Sequence, residues 1–213
     1  MNANPTHGAG LWPMVLEKAV AKYIGTYNKC AGGNPLWALT TFLGPAPMKA
    51  YRFSKRKSTW RKLRMKNQLN VKKFGGRSPR PKWIRLKGKK NRCSSTKLFK
   101  KLCALTNANH VLAAGGVKKT RANNRKSSSW DGLISNHAYS ILDVAEPKAG
   151  VRLVKVRNPH GRTEWKGDWS DGSKLWRDHP KIARDLEHET KDDGAFWMSW
   201  GDFSKVRCGS CVH

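Results

Sequence analysis

The sequence predicts an α+β fold: an antiparallel, barrel-like sheet with flanking helices. Three observations carry that prediction. Two β-type runs, about 137–145 and 151–159, flank the turn-rich Glu146-Pro147-Lys148-Ala149-Gly150 and read as an antiparallel hairpin. Residues 11–25 repeat apolar side chains at i+3 and i+4, the period of a helix with one covered face. Between 96 and 205, short helical and strand signals alternate around the hairpin. At 213 residues the chain can hold one domain with a real core, or such a domain carrying an insertion. A hydrophobic share of 38% and a mean hydropathy of -0.70 favour the second arrangement.

The first helix is expected over 11–25, Pro13 suiting its first turn and Gly25 stopping it. Leu11/Val15, Trp12/Leu16 and Val20/Tyr23/Ile24 form its apolar stripe, and Trp12, Tyr23 and Trp37 read as core. Gly32-Gly33-Asn34-Pro35 turns the chain into a short helix, Leu36 to Leu43. Leu98, Phe99, Leu102, Cys103 and Leu105 mark an amphipathic helix capped by Ser95 or Thr96. His110 to Ala114 is a buried strand. Residues 180–188, opening on Pro180, form a helix, and Phe196 to Trp200 a last strand, with Asp202 capping a closing turn at Phe203.

The net charge of +29 is concentrated in one place. From Lys49 to Lys126 there are 27 Lys and Arg and no Asp or Glu, whereas the rest of the chain carries 16 basic residues against 14 acids. Residues 49–95 show no sustained period, although Ser54 to Val71 could form a basic helix. The segment reads as a disordered, solvated insertion. Two other readings stay open: a contact for nucleic acid, acidic lipid or another polyanion, and non-coding sequence carried into the reading frame. For the polyanion reading the candidates are Lys55, Arg56, Lys57, Arg61, Lys62, Arg64, Lys72 and Lys73, interleaved with Trp60, Phe74 and Trp83.

No apolar run approaches the ~18 residues of a membrane span, and the first residues lack the apolar core of a secretory leader. Five scattered cysteines (Cys30, Cys93, Cys103, Cys208, Cys211) argue against a disulfide framework. The expectation is an intracellular, cytoplasmic protein. Cys208-Gly209-Ser210-Cys211 with His213 offers at most three metal ligands, and structural zinc wants four, so no zinc is expected.

The chemistry sits at the hairpin. Pairing the two runs brings the start of the first beside the end of the second, making His137 and Asn158 neighbours. An amide oxygen beside an imidazole accepts from one ring N–H, fixes the tautomer, and leaves the other nitrogen to face a thiol.

Asn136-His137-Ala138-Tyr139-Ser140, Val151 to Pro159, Glu164-Trp165-Lys166-Gly167-Asp168-Trp169-Ser170-Asp171 and Asp193 to Ser199 closely resemble the calpain family of cysteine proteases. Leu11-Trp12-Pro13 through Ala21-Lys22 is similar to the helix that opens the second half of that protease core. The resemblance covers about 8–48 and 96–205. It implies a domain made of 1–48 and 96–205, a basic insertion over 49–95, and a tail over 206–213. It further implies a papain-like core of two subdomains closed by calcium, of which this chain resembles the second. His137 carries over as general base and Asn158 as its orienter. The nucleophile motif of the first subdomain, Gln-rich with Cys-Trp, is not in this sequence, and Cys30 lies where the family has no catalytic thiol.

Where the family has Trp after Asn-Pro, this chain has His160, so the shielding of the His–Asn bond changes. A calcium site carries over in part, through Glu164, Asp171, Asp193 and the Lys191 carbonyl, with Ala195 at the last carboxylate position. Calcium wants six to eight oxygens, so this site is expected to be weakened. The resemblance implies a calcium-dependent cysteine endopeptidase core acting on protein substrates. Its nucleophile subdomain would be supplied in cis in a longer protein or in trans, and the chain would be inactive alone. The alternative is a non-catalytic module binding polyanions through the basic segment. His137, Asn158, His160 and Trp165 are expected near an exposed face where the other subdomain docks.

Overall fold

The computed structural model describes residues 11–30, 49–54, 58–66, 82–115, 129–130, 132–134, 137–205 and 209–212. It divides into two compact units, 1–45 with 65–84, and 46–64 with 85–213. The first unit holds α1 (Trp12–Ile24), with Pro13 in its opening turn, and a 3-10 turn, Tyr27–Cys30. Gly25 ends the helix at φ 106°, its N–H donating to the Ala21 carbonyl at 2.8 Å. Trp12 and Tyr23, expected in a core, are 68% and 60% exposed. A stripe at helical spacing shows that one face wants a cover, and says nothing about where the cover comes from. The expected helix 36–43 lies outside the described residues.

The second unit is built on an antiparallel sheet. Its strands are β1 (Lys49–Ser54), β2 (Thr59–Lys66), β4 (Arg92–Cys93), β5 (Leu112–Gly115), β8 (Ala138–Lys148), β9 (Val151–Arg157), β10 (Ala195–Ser199) and β11 (Gly209–Val212). A further strand, β3 (Lys82–Arg85), falls at the boundary between the units, and β6 (Ser129–Trp130) and β7 (Leu133–Ile134) form a separate two-stranded pair. The ladder runs β10-β9-β8-β5-β11-β1-β2, with β4 also on β2. Helices α2 (Ser95–Asn107), α3 (Leu175–Asp178), α4 (Pro180–Asp185) and α5 (Trp200–Lys205) complete it. Mixed helix and antiparallel sheet are as expected; closure into a barrel is not seen, because the described strands form an open ladder.

Period-two alternation explains why β9 and β10 can be covered on both faces. Val154, Val156, Phe196 and Met198 point into one cluster with Leu98, Phe99, Leu102, Trp200 and Phe203. Leu153 and Trp197 point the other way, to Trp169, Trp176 and Ile182. Fully burying a side chain of Leu or Phe size contributes about 1.5–3 kcal/mol, so these two layers supply much of the driving force. Helix α2 begins at Ser94, whose Oγ accepts from the Lys97 N–H at 3.2 Å. The cap is therefore one residue earlier than expected. At α5 the cap is Ser199: its Oγ accepts from the Asp202 N–H at 3.0 Å and donates to Asp202 Oδ2 at 2.7 Å.

The basic segment departs most from expectation. Instead of a helix over Ser54 to Val71, the chain forms β1 and β2, and the described parts of 49–95 include sheet strands where a disordered insertion was expected. Tyr51 and Phe53 on β1 and Trp60 on β2 alternate with charged neighbours, and Trp60 is fully buried against Trp200, ring centres 5.6 Å apart. Three well-placed rings outweigh a high local charge, since the cations between them can face water. Arg61, Lys62 and Arg64 thus lie on a strand. Lys55, Arg56, Lys57, Lys72 and Lys73 lie outside the described residues. Part of the expected tail forms β11, between β5 and β1.

Candidate active site

Two structural features place His137 beside Asn158. The hairpin register pairs Ser140 with Arg157, so residue 137, just ahead of β8, falls opposite the chain leaving β9. A glycine at the turn, Gly150 at φ 86°, lets the strands reverse after Lys148. The result is a 2.8 Å hydrogen bond between His137 Nε2 and Asn158 Oδ1.

The surroundings of Asn158 decide which atom donates. Its Nδ2 donates to the Arg162 carbonyl and, at 3.2 Å, to the Thr163 carbonyl. Its Oδ1 also accepts from the His160 backbone N–H at 3.1 Å. Rotating the amide would set Oδ1 against two carbonyls, so Oδ1 must face the imidazole, and Nε2 carries the proton. Neutral His137 is therefore the Nε2–H tautomer, with the Nδ1 lone pair available to a reacting group. The buried amide is satisfied on every side, which is what makes it a rigid orienter.

The imidazole is also held on its faces. His160 stacks on it with ring centres 4.6 Å apart and 15° between planes, and Tyr139 meets it edge-on at 5.0 Å. Tyr139 is fixed in turn by its hydroxyl, which accepts from the Ile134 N–H at 2.8 Å. The expectation of four residues near one exposed face holds only in part. His160 is exposed and His137 half-buried, while Asn158 is fully buried. Trp165 is buried in the core, its indole N–H donating to the Asp168 carbonyl at 2.8 Å.

Behind Asn158 lies a residue the sequence reading did not single out. The Gly194 carbonyl accepts from the Asn158 N–H, and the Gly194 N–H donates to Glu164 Oε1, both at 2.7 Å. Gly194 has φ 81°, and a Cβ there would lie 2.8 Å from the Asn158 carbonyl oxygen. Its signal in the sequence is only a glycine after two acids, which many turns share.

Glu164 belongs to the expected calcium set. Asp171 Oδ2 accepts from the Lys191 N–H at 3.1 Å, and Asp193 Oδ1 from the Ala195 N–H at 2.8 Å. Asp171, Lys191 and Asp193 line a polar pocket of about 40 Å³ with Lys155, His188, Glu189, Ala195 and Trp197. Burial pushes Glu164 above its ordinary range, and Asp171, Asp192 and Asp193 add repulsion. Burial also raises Asp171, with Asp193 contributing. These hard oxygen donors suit calcium in kind, and each carboxylate keeps one oxygen off the backbone N–H groups. They are not gathered as a ready cage: among the described residues no three His, Cys, Asp or Glu are grouped to hold a metal.

The thiols of Cys93 and Cys103 are partly buried at the edge of the core. Both are free and packed against the main cluster. Burial raises Cys93, and burial together with Asp143 pushes Cys103 to about 11. Such thiols stay protonated at neutral pH and make poor nucleophiles. Cys30 closes the 3-10 turn of the first unit. The side chains of Cys208 and Cys211, with His213, lie outside the described residues.

An oriented imidazole with one nitrogen open, backed by a fully buried amide, fits the base half of a thiol-dependent hydrolase. The chain belongs to the calpain family of cysteine proteases, whose family model matches residues 2–207. That match runs across the basic segment, where the sequence resemblance fails. The chain is 32% identical over 195 residues to the calpain-type cysteine protease ADL1 of Oryza sativa subsp. japonica, covering 91% of this chain and 7% of that protein. It is 26% identical over 200 residues to the calpain-2 catalytic subunit of Mus musculus, covering 92% and 23%. The chain thus spans under a quarter of the length of these relatives. Among the described residues no helix is long and apolar enough to cross a membrane.

Proposed function

We propose that this chain supplies the His–Asn half of a calpain-like cysteine endopeptidase, and that the thiol comes from outside these 213 residues. The observation that carries the reading is the His137–Asn158 pair, in which the amide orientation assigns the proton to Nε2 and leaves Nδ1 open. The raised thiols of Cys93 and Cys103 support an external nucleophile.

In that mechanism Nδ1 takes the proton of the incoming thiol, giving a thiolate–imidazolium pair. The thiolate adds to the peptide carbonyl. As the C–N bond breaks, the Nδ1 proton passes to the departing amine and an acyl-thioester remains. His137 then takes a proton from water, whose oxygen attacks the thioester and returns the thiol. Asn158 accepts from Nε2–H throughout and stabilises the imidazolium. The oxyanion donors also come from the other half.

Calcium, when bound, would supply positive charge between Glu164, Asp171 and Asp193, with the Lys191 carbonyl as a further ligand. Ala195 offers no carboxylate, so the affinity would be low. The polyanion-module reading has no observation that places it above this one.

The test is complementation. The purified chain should not cleave casein or a peptide substrate with calcium present. Adding a calpain-type nucleophile subdomain should bring turnover that His137→Ala abolishes. Thiol-dependent turnover by the chain alone, labelling one of its own cysteines, would overturn the reading.

A further inference from the structure

The basic segment, once folded, places three arginines in one row. In the β1–β2 register Arg52 stands opposite Arg61, and in the β2–β4 register Arg61 stands opposite Arg92. Directly opposed residues project from the same face, and strands lie ~4.8 Å apart, so three guanidinium groups line a strip of roughly 10 Å. Like charges directly opposed destabilise a sheet unless something neutralises them. Among the described residues the ion pairs are Arg152–Glu146, Lys181–Asp185, Lys191–Glu189 and Lys205–Asp202, and none reaches this row.

The row cannot turn away. The neighbouring cross-strand pair Phe53–Trp60 points to the opposite face, where Trp60 is fully buried. Arg52 and Arg92 are exposed and Arg61 half-buried. The Lys62 carbonyl accepts from the Leu86 N–H at 3.2 Å, bringing the exposed Lys87, Lys89 and Lys90 toward the same strand.

We propose that the row Arg52–Arg61–Arg92 holds the phosphate backbone of a nucleic-acid strand. Repeated guanidinium forks match repeated phosphates, each fork able to take two oxygens. An anionic bilayer is the weaker fit, because it calls for apolar side chains that insert beside the cations, and Tyr51, Trp60 and Leu63 of the row's own strands are buried. The burial of Trp60 leaves no ring of the row's strands free for base stacking on this face, so binding is independent of sequence. The proposal stands apart from the endopeptidase reading, whose residues flank the start of β8 and the end of β9.

The test uses the full chain, a fluorescein-labelled 20-nucleotide oligouridylate and anisotropy across a KCl series. Wild type should bind with a steep salt dependence. The variant R52Q/R61Q/R92Q should lose tenfold or more in affinity, and its salt slope should fall by about 2, three single-strand contacts at ~0.7 each. A control removing equal charge from exposed sites, K166Q/K174Q/R177Q, should lose less than threefold. Thermal unfolding accompanies each variant, and Arg92→Gln alone, at a site on a two-residue strand, should reproduce about a third of the slope change. Equal losses in both triple variants would show net charge alone and sink the proposal. So would tighter binding to polyglutamate or to phosphatidylserine vesicles than to the oligonucleotide, or a row variant that keeps the wild-type slope.

Discussion

Replacing Asn158 by alanine tests the geometry on which the active-site reading rests. The side chain is fully buried and makes four hydrogen bonds: with His137 Nε2, from the His160 N–H, and to the Arg162 and Thr163 carbonyls. At roughly 1 kcal/mol net per bond the simple sum is about 4 kcal/mol. His160, Arg162 and Thr163 are exposed and His137 half-buried, so water can reach part of what is orphaned, and the cost falls to about 2–4 kcal/mol. Urea unfolding measures it. Nitrogen-15 NMR of the His137 ring, taken at alkaline pH where imidazoles are neutral, reads the second consequence. Wild type should show the Nε2–H tautomer alone, and Asn158→Ala a mixture. A stability loss below about 0.5 kcal/mol with the tautomer unchanged would refute the claim that this amide orients this ring.

Three further outcomes are expected. Gly194→Ala forces an L side chain to φ 81° and sets its Cβ 2.8 Å from the Asn158 carbonyl and 2.9 Å from Gly161 Cα; it should cost about 2–4 kcal/mol by denaturant titration, and a neutral result would mean the turn relaxes freely. Cys103, pushed from 9.0 to about 11, should alkylate with iodoacetamide about 100-fold more slowly at neutral pH than an ordinary thiol, followed by peptide mass spectrometry. Because its folded value is raised, its contribution to stability is complete below 9.0 and is lost as the pH climbs to about 11; Cys103→Ala should flatten that alkaline slope. Ser94→Ala removes the acceptor of the Lys97 N–H and should cost about 1 kcal/mol in thermal unfolding, whereas Ser95→Ala tests a different bond, the one from Trp200 Nε1 at 2.7 Å.

The hairpin was legible because its information is local. The turn signal at 146–150 and the β-type runs on either side announce the hairpin, which puts the chain near 137 beside the chain leaving β9, although β8 itself runs on through Lys148. The helices at Trp12–Ile24, Ser95–Asn107 and Pro180–Asp185 were legible to within a turn for the same reason, whereas the short segments Leu175–Asp178 and Trp200–Lys205 were not foreseen as helices. The orientation of the Asn158 amide could not be read, since it depends on carbonyls of the following loop. Gly194 could not be read either: its importance lies in a positive φ and in partners thirty residues away or more. The basic segment misled because charge is counted easily and pairing is not. Only the register shows that Phe53 and Trp60 share one face while Arg52 and Arg61 share the other. The place of β11 between β5 and β1 rests on contacts about 100 and 160 residues apart in sequence.

Gly194 also ties together two features that a residue list keeps separate. Its N–H holds Glu164 and its C=O holds the Asn158 N–H, so one residue joins the acidic loop to the residue that orients His137. Burial first, and then the charges of Asp171, Asp192 and Asp193, work against the ionised form of Glu164. Drawing Glu164 away from the Gly194 N–H would weaken the support behind Asn158. Two changes at this carboxylate therefore act differently. Glu164→Gln keeps an oxygen for the Gly194 N–H and removes the charge, so it should leave the His137 tautomer in place. Glu164→Ala removes the acceptor itself and should loosen the tautomer without touching the side chain of His137 or Asn158. If both variants leave the ring unchanged, the path through Gly194 does not orient Asn158, and its bonds to the His160 N–H and to the Arg162 and Thr163 carbonyls suffice.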